Sequence, residues 1–233
     1  DMIYGSTLIT WDDFNQATAN ENIKGLISPV DSKTTYLVLN AGNPVLEDKE
    51  VREAIAYGID KQAISDGLTY GNQKVADDMY PKGNFLSDVE LNTVRKCDIA
   101  KANKILDDAN WIMNEKTGLR EKDGEVLSFK FTYNSGEAIN KMLAGIIKSQ
   151  LKELGINAET EGQDMMTWWK GGVAGNYGMI LWETEENTLP QINFLKMINS
   201  FPHTPSLKAL EGNEKVFETF NTVQTTKDMD EAK

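Results

Sequence analysis

The alternation of apolar and polar positions is most regular in the second half of the chain. Residues 126–133 alternate residue by residue, which predicts a strand. Residues 135–154 then carry apolar side chains at helical spacing, so a helix is predicted with Ser135 as its N-cap and Gly155 just beyond its end. Residues 156–160 predict a second, short strand.

Another helix and strand follow directly. Asp164 is a good N-cap for a helix, which we expect Gly171, Gly172 and Gly175 to break. Residues 177–182 predict a third strand. Strands that alternate with helices at these lengths require right-handed crossovers, so the predicted fold class is α/β, with a mainly parallel sheet flanked by helices. Such sheets bind ligands beyond the carboxyl ends of their strands, which places the site just after the third strand.

The first half of the chain is predicted to be more helical. Residues 34–41 favour a buried strand, and Asp48, Asp60 and Asp98 are the predicted N-caps of three helices. The charged segment at residues 115–125 contains two glycines and is interpreted as a solvated, hairpin-like turn. Towards the end of the chain, further helices are predicted at residues 190–199, 206–210 and 214–223.

Composition narrows the function classes. The 233 residues carry a formal net charge of −12, which disfavours binding to nucleic acid or to an anionic membrane and mildly favours cationic ligands. No apolar run approaches the ~18 residues of a membrane span. The single cysteine, Cys97, cannot form an internal disulfide, and the single histidine, His203, excludes a zinc site with several histidines. Because the chain carries no common nucleophile or phosphate-binding motif, we expect that it is not an enzyme.

Two segments after the predicted parallel strands carry candidate chemistry. Glu183 and Glu185 form either an exposed acidic loop or a negative field at the mouth of a cleft. His203 lies between two prolines and is either a surface residue or one ligand of a metal ion. A lone imidazole cannot satisfy a transition metal, so a small chelator would have to supply the other ligands.

Two tryptophans stand side by side on the predicted helix after Asp164. Neighbouring helical residues point about 100° apart, so we expect one of Trp168 and Trp169 to be buried and the other to face a cleft. The adjacent Met165 and Met166 are interpreted as packing residues rather than metal ligands.

Several segments, taken in order, resemble one protein family. Residues 51–55 and 58–61, followed by Tyr70–Gly71, are similar to a signature of the family-5 extracytoplasmic solute-binding proteins, the receptors of ABC importers for peptides and nickel. Residues 101–111 are similar to a second segment of that family, with Asn110 where glycine is usual. The similarity continues through residues 1–5, 147–156 and 177–180.

This resemblance implies the second lobe of a two-lobed periplasmic-binding-protein (type II) fold that closes on its ligand. Residues 1–233 then form a single domain, with a hinge-proximal segment at 1–33, a helical part at 34–125 and a βαβαβ part with C-terminal helices at 126–233. Because both ends look cut, we expect the first lobe and a C-terminal return segment to be missing and the chain alone to bind weakly.

Within the family, the resemblance is closest to the nickel-binding members, which implies a nickel chelate as the ligand and no intrinsic cofactor. In those members an aromatic pair follows the last strand, and Glu185 and Leu189 stand at the corresponding positions here. The resemblance implies a metal ligand from His203, packing of the chelator by Trp169 and Trp182, and a negative potential from Glu183 and Glu185.

A second ligand class stays open. Peptide receptors of the same family hold peptides between their lobes, and the acidic loop would then recognise a peptide amino terminus. Remote alternatives are a stand-alone α/β hydrolase that uses Glu183 or Glu185, and an interaction domain built on the same lobe. The receptor function implies ABC permease subunits as partners, a monomeric state and extracytoplasmic placement, either periplasmic or held at the cell surface by a lipid anchor.

Overall fold

Two β-sheets and the helices packed on them organise the chain. The structure is a computed structural model, and it describes residues 9–28, 33–78, 90–183, 210 and 212–232. In chain order the elements are α1 (Trp11–Thr18), β1 (Thr35–Leu39), α2 (Lys49–Gly58), α3 (Lys61–Thr69), α4 (Ile99–Asp108), β2 (Ile112–Asn114), β3 (Leu119–Lys122), β4 (Glu125–Val126), β5 (Ser128–Asn134), α5 (Ala138–Glu153), β6 (Asn157–Gln163), α6 (Met165–Ala174), β7 (Met179–Glu183), α7 (Glu214–Thr225) and α8 (Met229–Ala232).

The larger sheet has four strands in the order β1-β7-β5-β6. Strand β5 runs parallel to both β6 and β7, whereas β1 pairs with β7 in the antiparallel sense and sets Thr35 opposite Glu183. The predicted α/β class with a mainly parallel sheet is therefore confirmed, and antiparallel β1 closes one edge.

The helices α5 and α6 lie on opposite faces of this sheet. Ile147 and Leu151 of α5 belong to the same buried core as Met179 and Leu181 of β7. A Cβ added to Gly172 of α6 would instead lie 2.7 Å from the Trp182 ring and 3.3 Å from Ile180. Because successive residues of a strand point to opposite faces, the two helices cover different sides of β7.

The predicted aspartate caps are confirmed, because each side chain accepts a hydrogen bond from an amide in the first turn of its helix. The predicted helix near the end of the chain is also confirmed as α7. The capping residues are Asp48 for α2, Asp60 for α3, Asp98 for α4 and Asp164 for α6.

Two local predictions are wrong. Glu137, not Ser135, is the N-cap of α5, and the Ser135 hydroxyl instead donates to the carbonyl of Gln163. Gly171 and Gly172 do not break α6; the helix runs through them to Ala174. Close packing against Trp182 requires a residue without a Cβ at Gly172, so glycine serves the helix there rather than ending it.

Other predictions fall at the edge of the described residues or beyond it. The helix predicted at 190–199 lies outside them, and so does that at 206–210 except for its last residue. Among the described residues, no helix has the length and apolar character needed to cross a bilayer.

Residues 112–126 form a small three-stranded antiparallel sheet, β2-β3-β4. The hairpin character predicted for this region is confirmed, but its interpretation as a solvated turn is wrong for Arg120, which is only 3% exposed. Its Nε donates to the carbonyl of Leu154 at 2.9 Å, and its guanidinium also donates to the carbonyl of Trp111. A further 2.6 Å contact pairs it with Asp107. Arg120 therefore joins β3 to the ends of α4 and α5.

Asp48 forms a second link between distant segments. One of its carboxylate oxygens accepts from the Glu50 amide and the other from Trp111 Nε1 at 3.1 Å and Lys122 Nζ at 3.0 Å. Burial alone would raise the pKa of Asp48, but hydrogen bonds from Glu50, Lys122 and Trp111 outweigh it and lower the pKa to about 2.

Asn110, just before Trp111, has a φ of +63°. Asparagine tolerates this left-handed conformation, which explains why it can stand where the resembling family has glycine.

Replacing Asp48 by asparagine should reduce stability in a pH-dependent way. Asparagine keeps one oxygen for the cap, but its NH₂ group cannot accept from Trp111 or Lys122, so we expect a loss of about 2 kcal/mol in the free energy of unfolding at pH 7. Because the folded pKa is lower than the unfolded one, this stabilisation is present above about pH 4 and disappears as the pH falls towards 2. Urea unfolding from pH 2 to pH 7 measures it. Asp60→Asn, at an N-cap without an ion-pair partner among the described residues, should cost little at any pH.

Replacing Arg120 by methionine should destabilise the fold by about 3 kcal/mol, because it leaves the carbonyls of Trp111 and Leu154 buried without their donor. Urea unfolding measures the loss, and Arg95→Met, at an exposed arginine, is the matched control. Equal stabilities of the two variants would show that water satisfies these carbonyls without the guanidinium.

Candidate functional site

The order of strands places the carboxyl ends of β5 and β7 side by side, at the edge where open α/β sheets form their ligand-binding crevice. The chain leaves β5 through α5 to reach β6 on one side, and it returns through α6 to β7 on the other side. The two connections run in opposite directions across the sheet and on opposite faces, so the strand order reverses here. Open α/β sheets bind ligands at such a switch point. Residues 135–137 follow β5 there, and Glu183 ends β7.

Two carboxylates and one ammonium group meet at this crevice. Glu183, a predicted site residue, accepts a hydrogen bond from Lys33, with 3.4 Å between Nζ and Oε2. The side chains are 38% exposed for Lys33 and 27% exposed for Glu183, so the ion pair is partly open to solvent. Glu137, the N-cap of α5, is the second carboxylate of the group.

Burial raises the pKa of Glu137, and the negative charge of Glu183 raises it further, whereas Lys33 lowers it. The Glu137 side chain makes no capping hydrogen bond, in contrast to the aspartates that cap α2, α3, α4 and α6. Its carboxylate therefore lies within electrostatic range of Glu183 without a capping hydrogen bond that would offset the repulsion. The three groups, Lys33, Glu137 and Glu183, are called the switch-point triad below.

The predicted site residue Trp182 faces the other side of the sheet. Its ring stacks on Trp168 of α6, with 4.3 Å between ring centroids and 25° between the planes. Tyr36 of β1 stands directly opposite Trp182 in the sheet. Trp168 Nε1 is buried and has no hydrogen-bond partner among the described residues. Trp182 and Glu183 are therefore the last two residues of the same strand, but their side chains point to opposite faces of the sheet.

The first turn of α6 presents an exposed apolar surface at the carboxyl edge of the sheet. Trp169 is 46% exposed, whereas its neighbour Trp168 is half-buried, in line with the prediction that the two rings point in different directions. Met165 and Met166 are 65% and 58% exposed, so their interpretation as packing residues is wrong. The structure does not stack Trp169 on Trp182.

The remaining predicted site residues, Glu185 and His203, lie outside the described residues. Within the described ranges, no group of three or more histidine, cysteine, aspartate or glutamate side chains could hold a metal ion. Sequence reasoning missed Lys33 and Glu137. Glu137 follows a predicted strand, and this position is the feature of the sequence that could have indicated a site residue. It does so only if β7 is known to lie beside β5.

Comparison with known proteins places these features in a family context. A sequence model of the bacterial extracellular solute-binding proteins, family 5 middle part, matches residues 3–205. The nickel-binding periplasmic protein of Escherichia coli (strain K12) is 27% identical over 186 residues, which cover 79% of this chain and 35% of that protein. The oligopeptide-binding protein AppA of Bacillus subtilis (strain 168) is 27% identical over 156 residues, 64% of this chain and 27% of AppA.

The fold also matches a solved structure. The crystal structure of NikA from Brucella suis in complex with Fe(III)-EDTA superimposes with a TM-score of 0.87 and 25% sequence identity, over 99% of this chain and 46% of NikA. The chain therefore spans less than half the length of each of these proteins.

Two glycine substitutions in α6 test the packing that fixes Trp182. Gly171→Ala should stabilise the helix by up to about 1 kcal/mol, because alanine is the better helix former and a Cβ there has only Gln163 nearby, at 3.7 Å. Gly172→Ala should instead cost about 1 to 3 kcal/mol and displace the Trp182 ring. Thermal unfolding and the near-ultraviolet circular dichroism of the stacked tryptophans measure both effects. Equal behaviour of the two variants would contradict the close approach of α6 to β7.

Proposed function

We propose a receptor function for this chain, which belongs to the bacterial extracellular solute-binding proteins of family 5. In this proposal the chain is the ligand-binding second lobe of a substrate-binding component that serves an ABC importer. The component captures a nickel chelate outside the cytoplasm and delivers it to the permease. The relatives named above are binding proteins, and we propose that this chain has no catalytic residue.

The switch-point triad is the observation that carries the proposal. Two carboxylates against one ammonium group leave a negative potential at the place where open α/β sheets bind ligands. The net charge of −12 adds to this field over a longer range. A metal complex with positive charge is attracted to such a crevice, and the nickel-binding relative supports nickel as the metal.

The metal-binding role rests on His203 in this proposal. One imidazole leaves most positions of a nickel ion to other ligands, so a small organic chelator supplies them. Trp169 offers an exposed flat ring at the carboxyl edge and is proposed to pack this chelator. Trp182 is proposed to support it from beneath, with one ring face stacked on Trp168, and Glu185 is proposed to extend the negative field of Glu183.

A peptide ligand is the second candidate, and the oligopeptide-binding relative favours it. The carboxylates of Glu137 and Glu183 suit a peptide amino terminus as well as a cationic complex, because both carry positive charge at the contact point. His203 distinguishes the two ligands, since a peptide receptor has no need of a metal ligand there.

The proposed receptor function also implies where the protein works and what it contacts. The receptor is proposed to be a monomer that works in the periplasm or on a lipid anchor at the cell surface, and to contact a membrane only through that anchor or the permease. Residues 1–233 are proposed to form one domain within it.

A fluorescence titration tests the proposed function. Tryptophan emission of the full-length receptor, of which this chain is proposed to be the second lobe, is followed during addition of Ni²⁺ alone, Ni²⁺ with excess free histidine, and a mixture of short peptides. We expect saturable binding that requires histidine and that His203→Ala weakens by at least about tenfold, because the metal loses a ligand. Binding of peptides but not nickel, unchanged in His203→Ala, would assign the peptide function. No response to any probe would contradict both.

A further inference from the structure

Lys33 reaches the crevice because of the antiparallel pairing of β1. Thr35 lies opposite Glu183, the last residue of β7, so the chain that precedes β1 continues past the carboxyl end of that strand. Lys33 stands two positions before Thr35 and therefore on the same face of the sheet as Glu183. At this diagonal position a long side chain can contact its neighbour, as the 3.4 Å ion pair shows.

Glu137 is brought to the same face by α5. The helix packs on the side of β7 that carries Met179 and Leu181, and Glu183 follows these residues in alternation. Since Glu137 is the N-cap of α5, just after the carboxyl end of β5, its carboxylate lies within electrostatic range of Glu183, whose charge raises its pKa. Trp182 points to the opposite face and takes no part in this group.

The ion pair between Lys33 and Glu183 is one that a ligand can replace. Both partners are partly exposed, and 3.4 Å is longer than the 2.7–2.9 Å that is usual for a strong charge-assisted hydrogen bond. Exposed ion pairs contribute little to stability, so their separation costs little. The second carboxylate, Glu137, then remains to hold an incoming positive group together with Glu183.

We infer that Lys33 is a specificity-determining residue, an internal counter-ion that the positively charged group of a ligand displaces from Glu183. The site would then take ligands with an ammonium group or a cationic metal complex at this point and would reject a carboxylate or phosphate there. This inference rests on the proposed function, since it concerns ligand selection at the same crevice.

The electrostatic part of the inference can be measured without any ligand. Carbon-detected NMR titration of the Glu137 carboxyl in Lys33→Met should show a higher pKa than in the unmodified protein, because a positive neighbour has been removed. Lys130→Met is the matched control. It removes an ammonium that pairs with Glu161 at 3.0 Å, on strands β5 and β6, and should leave the Glu137 titration unchanged. An unchanged Glu137 pKa in Lys33→Met would overturn the placement of Lys33 in the triad.

Ligand binding tests the displacement itself. Calorimetric titration of the full-length receptor uses the 1:1 complex of Ni²⁺ with histidinate, which carries one net positive charge, and, separately, trialanine. For whichever probe binds the unmodified protein, Lys33→Met should increase the affinity about two- to fivefold, as expected for the loss of a weak competing ion pair, and Lys130→Met should not. Equal or weaker binding to Lys33→Met would overturn the inference while leaving the receptor function intact. Absence of binding by both probes to the unmodified protein would contradict the proposed function and, with it, the ligand class.

Discussion

The right-handed crossover is the constraint on which the arrangement of this chain depends. Strand β5 is followed by β6 on one side and flanked by β7 on the other, and a fixed crossover hand then requires α5 and α6 to cover opposite faces. The carboxyl ends of β5 and β7 lie side by side at the edge where the strand order reverses. Glu137 and Glu183 are at this edge because they follow those strands in sequence, and Lys33 joins them because β1 is antiparallel.

Periodicity and capping chemistry are local, and this explains which predictions are confirmed. The strands β5, β6 and β7 and the aspartate caps each depend on a few neighbouring residues, so one sequence suffices to find them. The sequence predicts Ser135 as the N-cap of α5 because serine is the better cap by type. In the structure the Ser135 hydroxyl bonds to Gln163 of another strand, and Glu137 is the N-cap. Strand order is not local, so the proximity of Glu137 to Glu183 could not be predicted.

Arg120 shows a different limit of sequence reasoning. It lies among charged residues and two glycines, a composition typical of a solvated turn, yet it is 3% exposed. The reason is the need for donors to two carbonyls, that of Leu154 at the C-cap of α5 and that of Trp111 in the segment after α4. An arginine in a charged segment is expected to be exposed to water. Arg120 is buried because the carbonyls that accept its hydrogen bonds lie in other segments of the chain.

The two kinds of charge contact lie at opposite ends of the sheet and differ in exposure. Arg120, 3% exposed, donates to the carbonyl of Leu154 at the end of α5, at the amino edge of β6. Lys33 and Glu183 meet beyond the carboxyl edge, at 38% and 27% exposure. Contacts that water cannot reach are costly to break and hold the frame, whereas a contact that water reaches can exchange partners. A binding site needs the second kind, because a ligand must compete with whatever its contact groups hold in its absence.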